Sequence, residues 1–123
     1  MKVELRNLIN SDATIAAICG AEWAARVQGA TGPAMVLHLV SGAEGLTQSG
    51  PDGVFEGRVQ IDCYAEKYAR AAELRGHLVR VLSGHRADGF LGIFHLATRE
   101  GREANAAREF RISLDFMVYH RSE

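Results

Sequence analysis

Two segments of the sequence alternate between apolar and polar residues, and this pattern constrains the fold more than any other feature. Residues 54–64 place an apolar set on one side and a polar set on the other, namely Phe55, Val59, Ile61 and Cys63 against Glu56, Arg58, Gln60 and Asp62. Residues 110–118 repeat the pattern, with Arg111, Ser113 and Asp115 as the polar set. A period of two residues is typical of a strand buried on one face. Two such strands predict an antiparallel sheet covered by helices on one side only, which is an α+β fold.

The rest of the chain supplies the other elements of such a fold. Apolar residues at three- and four-residue steps predict an N-terminal helix over residues 2–19, which ends at Gly20. It is expected to break near Ser11 and Asp12, either of which would cap its second part. A longer helix is expected over 66–83, further strands at 34–40 and 90–97, and a weaker extended segment at 22–28. We therefore expect one domain, residues 1–123, with a mainly antiparallel sheet of four to five strands and both helices on one face.

Two stretches are predicted to be exposed loops. Residues 41–53 contain four Gly and one Pro, and residues 98–110 carry the charged run TREGREANAAREF. Gly and Pro favour turns, and long loops in compact domains often carry function.

Charge and cysteine usage limit the possible partners and cellular context. With a formal charge of -1, the protein has no overall positive potential that would attract nucleic acid or an anionic membrane. The N-terminal residues MKVELRNLIN include charged and polar side chains, so we expect neither a signal peptide nor a membrane span, and a cytosolic chain. Cys19 and Cys63 are expected to be packed thiols rather than a disulfide. Twelve of the 14 basic residues are Arg, which favours assembly because Arg is enriched at protein interfaces.

No motif for catalysis, phosphate binding or metal binding is present, so we expect no cofactor and no metal. His38 and His95 lie in apolar runs and are expected to be hydrogen-bonded core or interface residues. Asp62 and Asp115 could approach each other and share a proton as an acid/base pair. Arg58 and Arg111 lie on the same strand faces, however, and cross-strand ion pairs explain the pattern without chemistry. The polar face is then either solvated or a surface between subunits.

Three segments, in this order and behind a short N-terminal helix, carry a resemblance to a known family. They are GPAMVLHLVSG (32–42), GRVQIDCYAEKYARAAELRGHLVRVL (57–82) and RISLDFMVYHR (111–121). The chain resembles the tail-completion or tail-terminator family of long-tailed phages and phage-like gene transfer particles. The resemblance implies a small structural α+β subunit, not an enzyme, that closes into a ring, usually a hexamer. Such a ring lies at the head-proximal end of the tail tube, stops tube polymerisation and joins the tail to the head.

The resemblance also implies roles for particular residues. Candidates for subunit contacts or for the ring lumen are Arg58, Gln60, Asp62, Arg111 and Asp115. Candidates for docking through the two predicted loops are Glu44, Leu46, Gln48, Asp52, Arg99, Glu100, Arg102 and Glu103.

The partners implied are further copies of the chain, the tail tube protein and a head-completion or stopper protein. DNA would only pass through the lumen, and no membrane is involved. Assembly is expected in the bacterial cytoplasm, after which the chain is part of the particle tail. Two alternatives stay open: a different head–tail connector such as a stopper or adaptor, or a small ligand-binding domain or enzyme that uses Asp62, Asp115 and a nearby His.

Overall fold

A computed structural model describes residues 1–23, 33–41, 54–87, 89–102 and 110–121. In these ranges the elements follow one another in the order α1, α2, β1, β2, β3, α3, β4, β5. The α+β prediction is confirmed.

The N-terminal helix is broken where the sequence predicts a break. Helix α1 spans Lys2–Asn10 and α2 spans Ala13–Ile18. Asp12 has an extended backbone, and its Oδ2 accepts a hydrogen bond from the Ile15 amide at 3.1 Å, so it caps α2. Gly20 follows with φ of 73°, a left-handed conformation that suits glycine and ends the helical segment.

Five strands form one sheet in the order β1-β2-β3-β5-β4. Their bounds are Ala21–Trp23, Ala34–Ser41, Val54–Ala65, Phe90–Arg102 and Phe110–Arg121 for β1, β2, β3, β4 and β5. The pairings β2–β3, β3–β5 and β4–β5 are antiparallel.

The sheet is mixed rather than purely antiparallel, because β1 pairs with β2 in parallel. A contact between α1 and β1 accompanies this pairing. The Asn10 side chain accepts a hydrogen bond from the Ala21 amide at 2.7 Å and donates one to the Ala21 carbonyl at 3.1 Å. These two hydrogen bonds hold the segment after Gly20 against the end of α1, and Ala21 lies opposite Met35 of β2. The predicted extended segment at 22–28 continues beyond the described residues.

Strand β4 is longer than the sequence predicts. Residues 98–102 were expected to lie in a loop, but they continue β4 and pair with β5 as far as Arg102 opposite Phe110. Charged residues and Gly101 make this segment resemble a loop in sequence, whereas pairing along the full length of β5 keeps it extended. Residues 103–109 lie outside the described ranges.

Helix α3, Tyr68–Leu82, packs its apolar stripe on one face of the sheet. Its buried residues meet the apolar sets of β3 and β5 that the sequence pattern predicts, and α1 and α2 add further apolar side chains to the same core. Cys63 is buried there as a free thiol, and burial raises the pKa of that thiol above its ordinary value. The described helices therefore leave the opposite face of the sheet uncovered.

Candidate functional site

The uncovered sheet surface, called the helix-free face below, carries a cluster of polar side chains from four strands. Strand register brings them together. Gln60 of β3 lies opposite both His38 of β2 and Asp115 of β5, and Ser113 of β5 lies opposite both Asp62 and Arg99. Facing residues of antiparallel strands point to the same side of the sheet. We call this set the ionic cluster: His38, Arg58, Gln60, Asp62, Arg99 and Asp115.

Asp115 forms one half of the ionic cluster. Its Oδ2 accepts hydrogen bonds from Arg99 Nη1 at 2.7 Å and from Arg58 Nη2 at 3.1 Å. The carboxylate is only 2% exposed, while the two arginine side chains are about half exposed. Two guanidinium groups thus replace the water that the carboxylate loses on burial.

Asp62 forms the other half. Its Oδ1 accepts a hydrogen bond from Gln60 Nε2 at 2.8 Å, and its Oδ2 lies 3.3 Å from His38 Nε2 and 3.5 Å from the Tyr64 hydroxyl. Asp62 is buried although no described helix covers it. Its polar neighbours supply the hydrogen bonds that a buried carboxylate requires.

Gln60 and Arg99 join the two halves. Arg99 Nη2 donates to Gln60 Oε1 at 3.1 Å while the Gln60 amide donates to Asp62. The cluster holds two arginines and two aspartates, so its formal charge cancels while His38 is neutral. Asp62 and Asp115 therefore contact each other through Gln60 and Arg99, and no direct hydrogen bond between them is present in the described ranges. The Arg58–Asp115 contact is one of the predicted arginine–aspartate pairs, whereas the second arginine on Asp115 is Arg99 and not the predicted Arg111. The arrangement gives no support to the shared-proton hypothesis.

The remaining predicted residues fall in three places. Arg111 lies on the helix-free face opposite Tyr64 and Gly101, beyond the ionic cluster. Glu44, Leu46, Gln48, Asp52 and Glu103 lie outside the described residues.

Arg99, Glu100 and Arg102 belong to β4 and not to a loop, which corrects their assignment as loop residues. Glu100 points to the helix side, where it accepts a hydrogen bond from the Tyr68 hydroxyl at 2.7 Å and lies 3.5 Å from Arg75 Nη1. The Arg102 guanidinium lies 5.4 Å from the centre of the Phe110 ring.

Sequence reasoning missed two members of the ionic cluster. Arg99 was assigned to a loop, and His38 was interpreted apart from the polar strand faces. An alternation in residues 97–101, with Ala97, Arg99 and Gly101 on one side, is the signal that could have placed Arg99 on the helix-free face. His95, also in an apolar run, is exposed and lies 2.8 Å from the Thr98 hydroxyl.

No group of three or more His, Cys, Asp or Glu side chains in the described ranges is arranged to hold a metal ion. None of the described helices is long and apolar enough to cross a bilayer.

Comparisons with known proteins identify relatives in sequence and in fold. The family model described as "Tail completion protein gp17" matches residues 3–121. The fold is similar to that of a chain in a solved structure titled "Virion of native gene transfer agent (GTA) particle", with a TM-score of 0.59 and 19% sequence identity. The similarity covers 94% of this chain and 90% of that chain. No curated protein matches the sequence.

Proposed function

The chain belongs to the tail completion protein gp17 family, and from that membership we propose that it forms a ring, a hexamer, at the head-proximal end of a tail tube. The ring ends polymerisation of the tube and joins the tail to the head of a phage or phage-like particle. The observation that carries this proposal is the family match over residues 3–121, which includes every described element except Lys2, the first residue of α1. The similarity in fold to a chain of a gene transfer agent virion supports the same setting.

The partners follow from the position of the ring. One side of it contacts the tail tube protein, and the other contacts a head-completion or stopper protein. Each copy also contacts two neighbours, and closure by rotation requires two different complementary patches on each copy. Assembly takes place in the bacterial cytoplasm, and the chain then remains in the particle.

We assign the helix-free face to the ring lumen. Its ionic cluster pairs Arg58 and Arg99 with Asp115, and Gln60 links Arg99 to Asp62. Arginines that are paired within the chain attract a phosphate backbone less strongly than free ones. A lumen through which DNA passes requires a surface of this kind, because excess positive charge would retain the DNA.

The mass of the assembled protein tests the ring. The purified chain is measured at micromolar concentration by light scattering or mass photometry, alone and with the tail tube protein of the same particle. A hexameric mass in either condition supports the proposal. A monomeric chain that neither binds tube ends nor changes tube length would contradict it.

The same preparation separates a terminator from a stopper or adaptor. A terminator binds the end of a tail tube when no head protein is present. A stopper or adaptor binds the head connector instead and leaves bare tubes unoccupied. Binding only to the head connector would identify the chain as a stopper or adaptor.

A further inference from the structure

The edge of the sheet formed by β4 exposes an apolar patch. Three of the six large apolar side chains that are exposed within the described residues lie in the first seven residues of β4. They are Leu91, Phe94 and Leu96, each between 41% and 52% exposed. Leu91 and Leu96 lie where the β4–β5 register shifts, so both lie outside the regular pairing.

This edge lacks the protection that edge strands usually carry. β4 is the last strand in the sheet order and pairs with β5 alone among the described strands. No Lys, Arg, Asp or Glu occurs from Phe90 to Thr98. An exposed edge strand offers unpaired N–H and C=O groups to another chain, and natural proteins commonly place charges there to prevent such pairing. Because the apolar half of the β4 edge carries no charge, we expect another chain to cover this edge in the assembled particle.

Two of the other exposed apolar residues, Val40 and Val3, lie toward the opposite edge of the sheet, which β1 and β2 form. Val40 of β2 is 53% exposed and lies beyond Leu37, the last described partner of β1. Val3 of α1 is 67% exposed, and α1 is held to β1 by a hydrogen bond from Trp23 Nε1 to the Lys2 carbonyl at 2.8 Å. The sixth residue, Tyr68, is engaged with Glu100 on the helix side. Apart from Tyr68, the exposed apolar side chains thus lie on β4 at one edge of the sheet and on β2 and α1 toward the other edge.

We propose that the β4 edge of one copy binds the β1–β2 side of a second copy of this chain. We infer that the partner is a second copy because a head-to-tail contact between identical copies requires two different complementary patches on opposite sides of one subunit. Strand direction permits the contact. β4 runs antiparallel to β1 and β2 across the sheet, so a copy related by rotation about an axis along the strands presents an antiparallel neighbour. This inference rests on the proposed ring and names its subunit contact.

A charged substitution at the β4 edge tests the contact. Leu96→Lys is expected to raise the dissociation constant of the assembled state at least about tenfold, because the contact would bury an unpaired ammonium group. Ala69→Lys, which adds the same charge on the exposed side of α3, is the matched control and is expected to assemble as the unsubstituted chain does. Circular dichroism confirms that both variants are folded.

Cross-linking gives a second measurement that needs no added charge. Leu96→Cys and Val40→Cys are made in separate chains, and a short bismaleimide is added to each variant alone and to their mixture. A cross-linked dimer is expected in the mixture only. The unsubstituted chain, with Cys19 and Cys63, gives the background. Cross-linking of the Leu96→Cys variant to itself, or no dimer in the mixture, would overturn the head-to-tail contact.

The outcomes separate this inference from the proposed function. If the unsubstituted chain assembles and Leu96→Lys assembles equally well, the ring stands and the β4 contact is wrong. If the unsubstituted chain stays monomeric with tail tube protein present and leaves tube length unchanged, the proposed function fails and this inference fails with it.

Discussion

Asp115 is the less exposed of the two aspartates in the ionic cluster. Its carboxylate is almost fully buried on a sheet face without a helix, and two arginines contact the same oxygen. Burial of a charge costs free energy that only good pairing offsets, so the arrangement is sensitive to loss of one member. The cluster therefore contributes to the stability of the subunit as well as to the surface that it presents.

We predict that Asp115→Asn lowers the free energy of unfolding by about 1–3 kcal/mol, less than a fully buried pair would lose because the arginines are half exposed. Urea denaturation at neutral pH measures the change. The control is Glu73→Gln, which removes a carboxylate 2.9 Å from Arg70 in an exposed pair and is expected to cost about 0.5 kcal/mol or less. Equal losses in the two variants would contradict the account of the cluster.

Sequence reasoning placed most of the ionic cluster on one sheet face, because a period of two assigns Arg58, Gln60, Asp62 and Asp115 to the polar sides of their strands. Arg99 escaped this assignment because its charged segment predicts a loop, although the alternation over residues 97–101 carries the signal. The contacts that His38 and Arg99 make depend on the register between strands, and register follows from long-range pairing that a local pattern does not contain.

At the scale of elements, α2 shows how one side chain both begins a helix and ties it to another. Asp12 Oδ2 accepts a hydrogen bond from the Ile15 amide and another from Arg80 Nη2 of α3, each at 3.1 Å. The hydrogen bond from Arg80, followed by that from the Ile15 amide, lowers the pKa of Asp12 below its ordinary value of 3.8.

We predict that Asp12→Ala costs about 1 kcal/mol at neutral pH, because it removes the helix cap, and that Asp12→Asn costs less because an amide oxygen still caps. The lowered pKa sets the pH dependence. The ionised form stabilises the fold above the ordinary pKa, and this contribution is lost as pH falls through the lowered value. The gap in stability between the unsubstituted chain and Asp12→Asn should therefore narrow below about pH 4. Thermal unfolding measures both proteins, and a stability difference that stays constant from pH 7 to pH 3 would contradict a stabilising role of the ionised Asp12 side chain.

Alanine substitutions at two glycines, one within α3 and one in the turn before β4, are expected to change stability in opposite directions. Gly76 lies within α3, and a Cβ there would meet no atom within 4 Å, so Gly76→Ala should stabilise the chain by about 0.5–1 kcal/mol. Gly89 has φ of 89°, and a Cβ there would lie 2.8 Å from His120 Nε2 and 3.2 Å from the Arg121 carbonyl oxygen. Gly89→Ala should therefore destabilise by about 1–3 kcal/mol. Thermal melting of the two variants measures both changes, and a shift of the same sign in both would refute this reading of the two positions.

The elements were predictable where their signal is local. The helices followed from apolar spacing and from the Asp12 cap, and β3 and β5 followed from alternation. The parallel pairing of β1 was not predictable, since it depends on Asn10 binding the backbone of Ala21 eleven residues later. The length of β4 was underestimated because its second half is charged, and pairing with β5 outweighs that local composition.

At the scale of the whole molecule, the account joins three features. The helices and one sheet face form the core, the helix-free face carries a charge-balanced cluster, and apolar residues are exposed at opposite sides of the sheet. The chain belongs to the tail completion protein gp17 family. In the ring that we propose, these features have a common use in a subunit that repeats around a channel, and function resides in the contacts between copies.

Tube growth in the presence of the chain tests whether the chain ends polymerisation of the tail tube. Tail tube protein from the same particle is allowed to polymerise with increasing amounts of the chain, and tube lengths and ends are measured by electron microscopy. The account predicts tubes that shorten as the chain is added and that carry a ring at one end only. Tubes of unchanged length with both ends bare would contradict it.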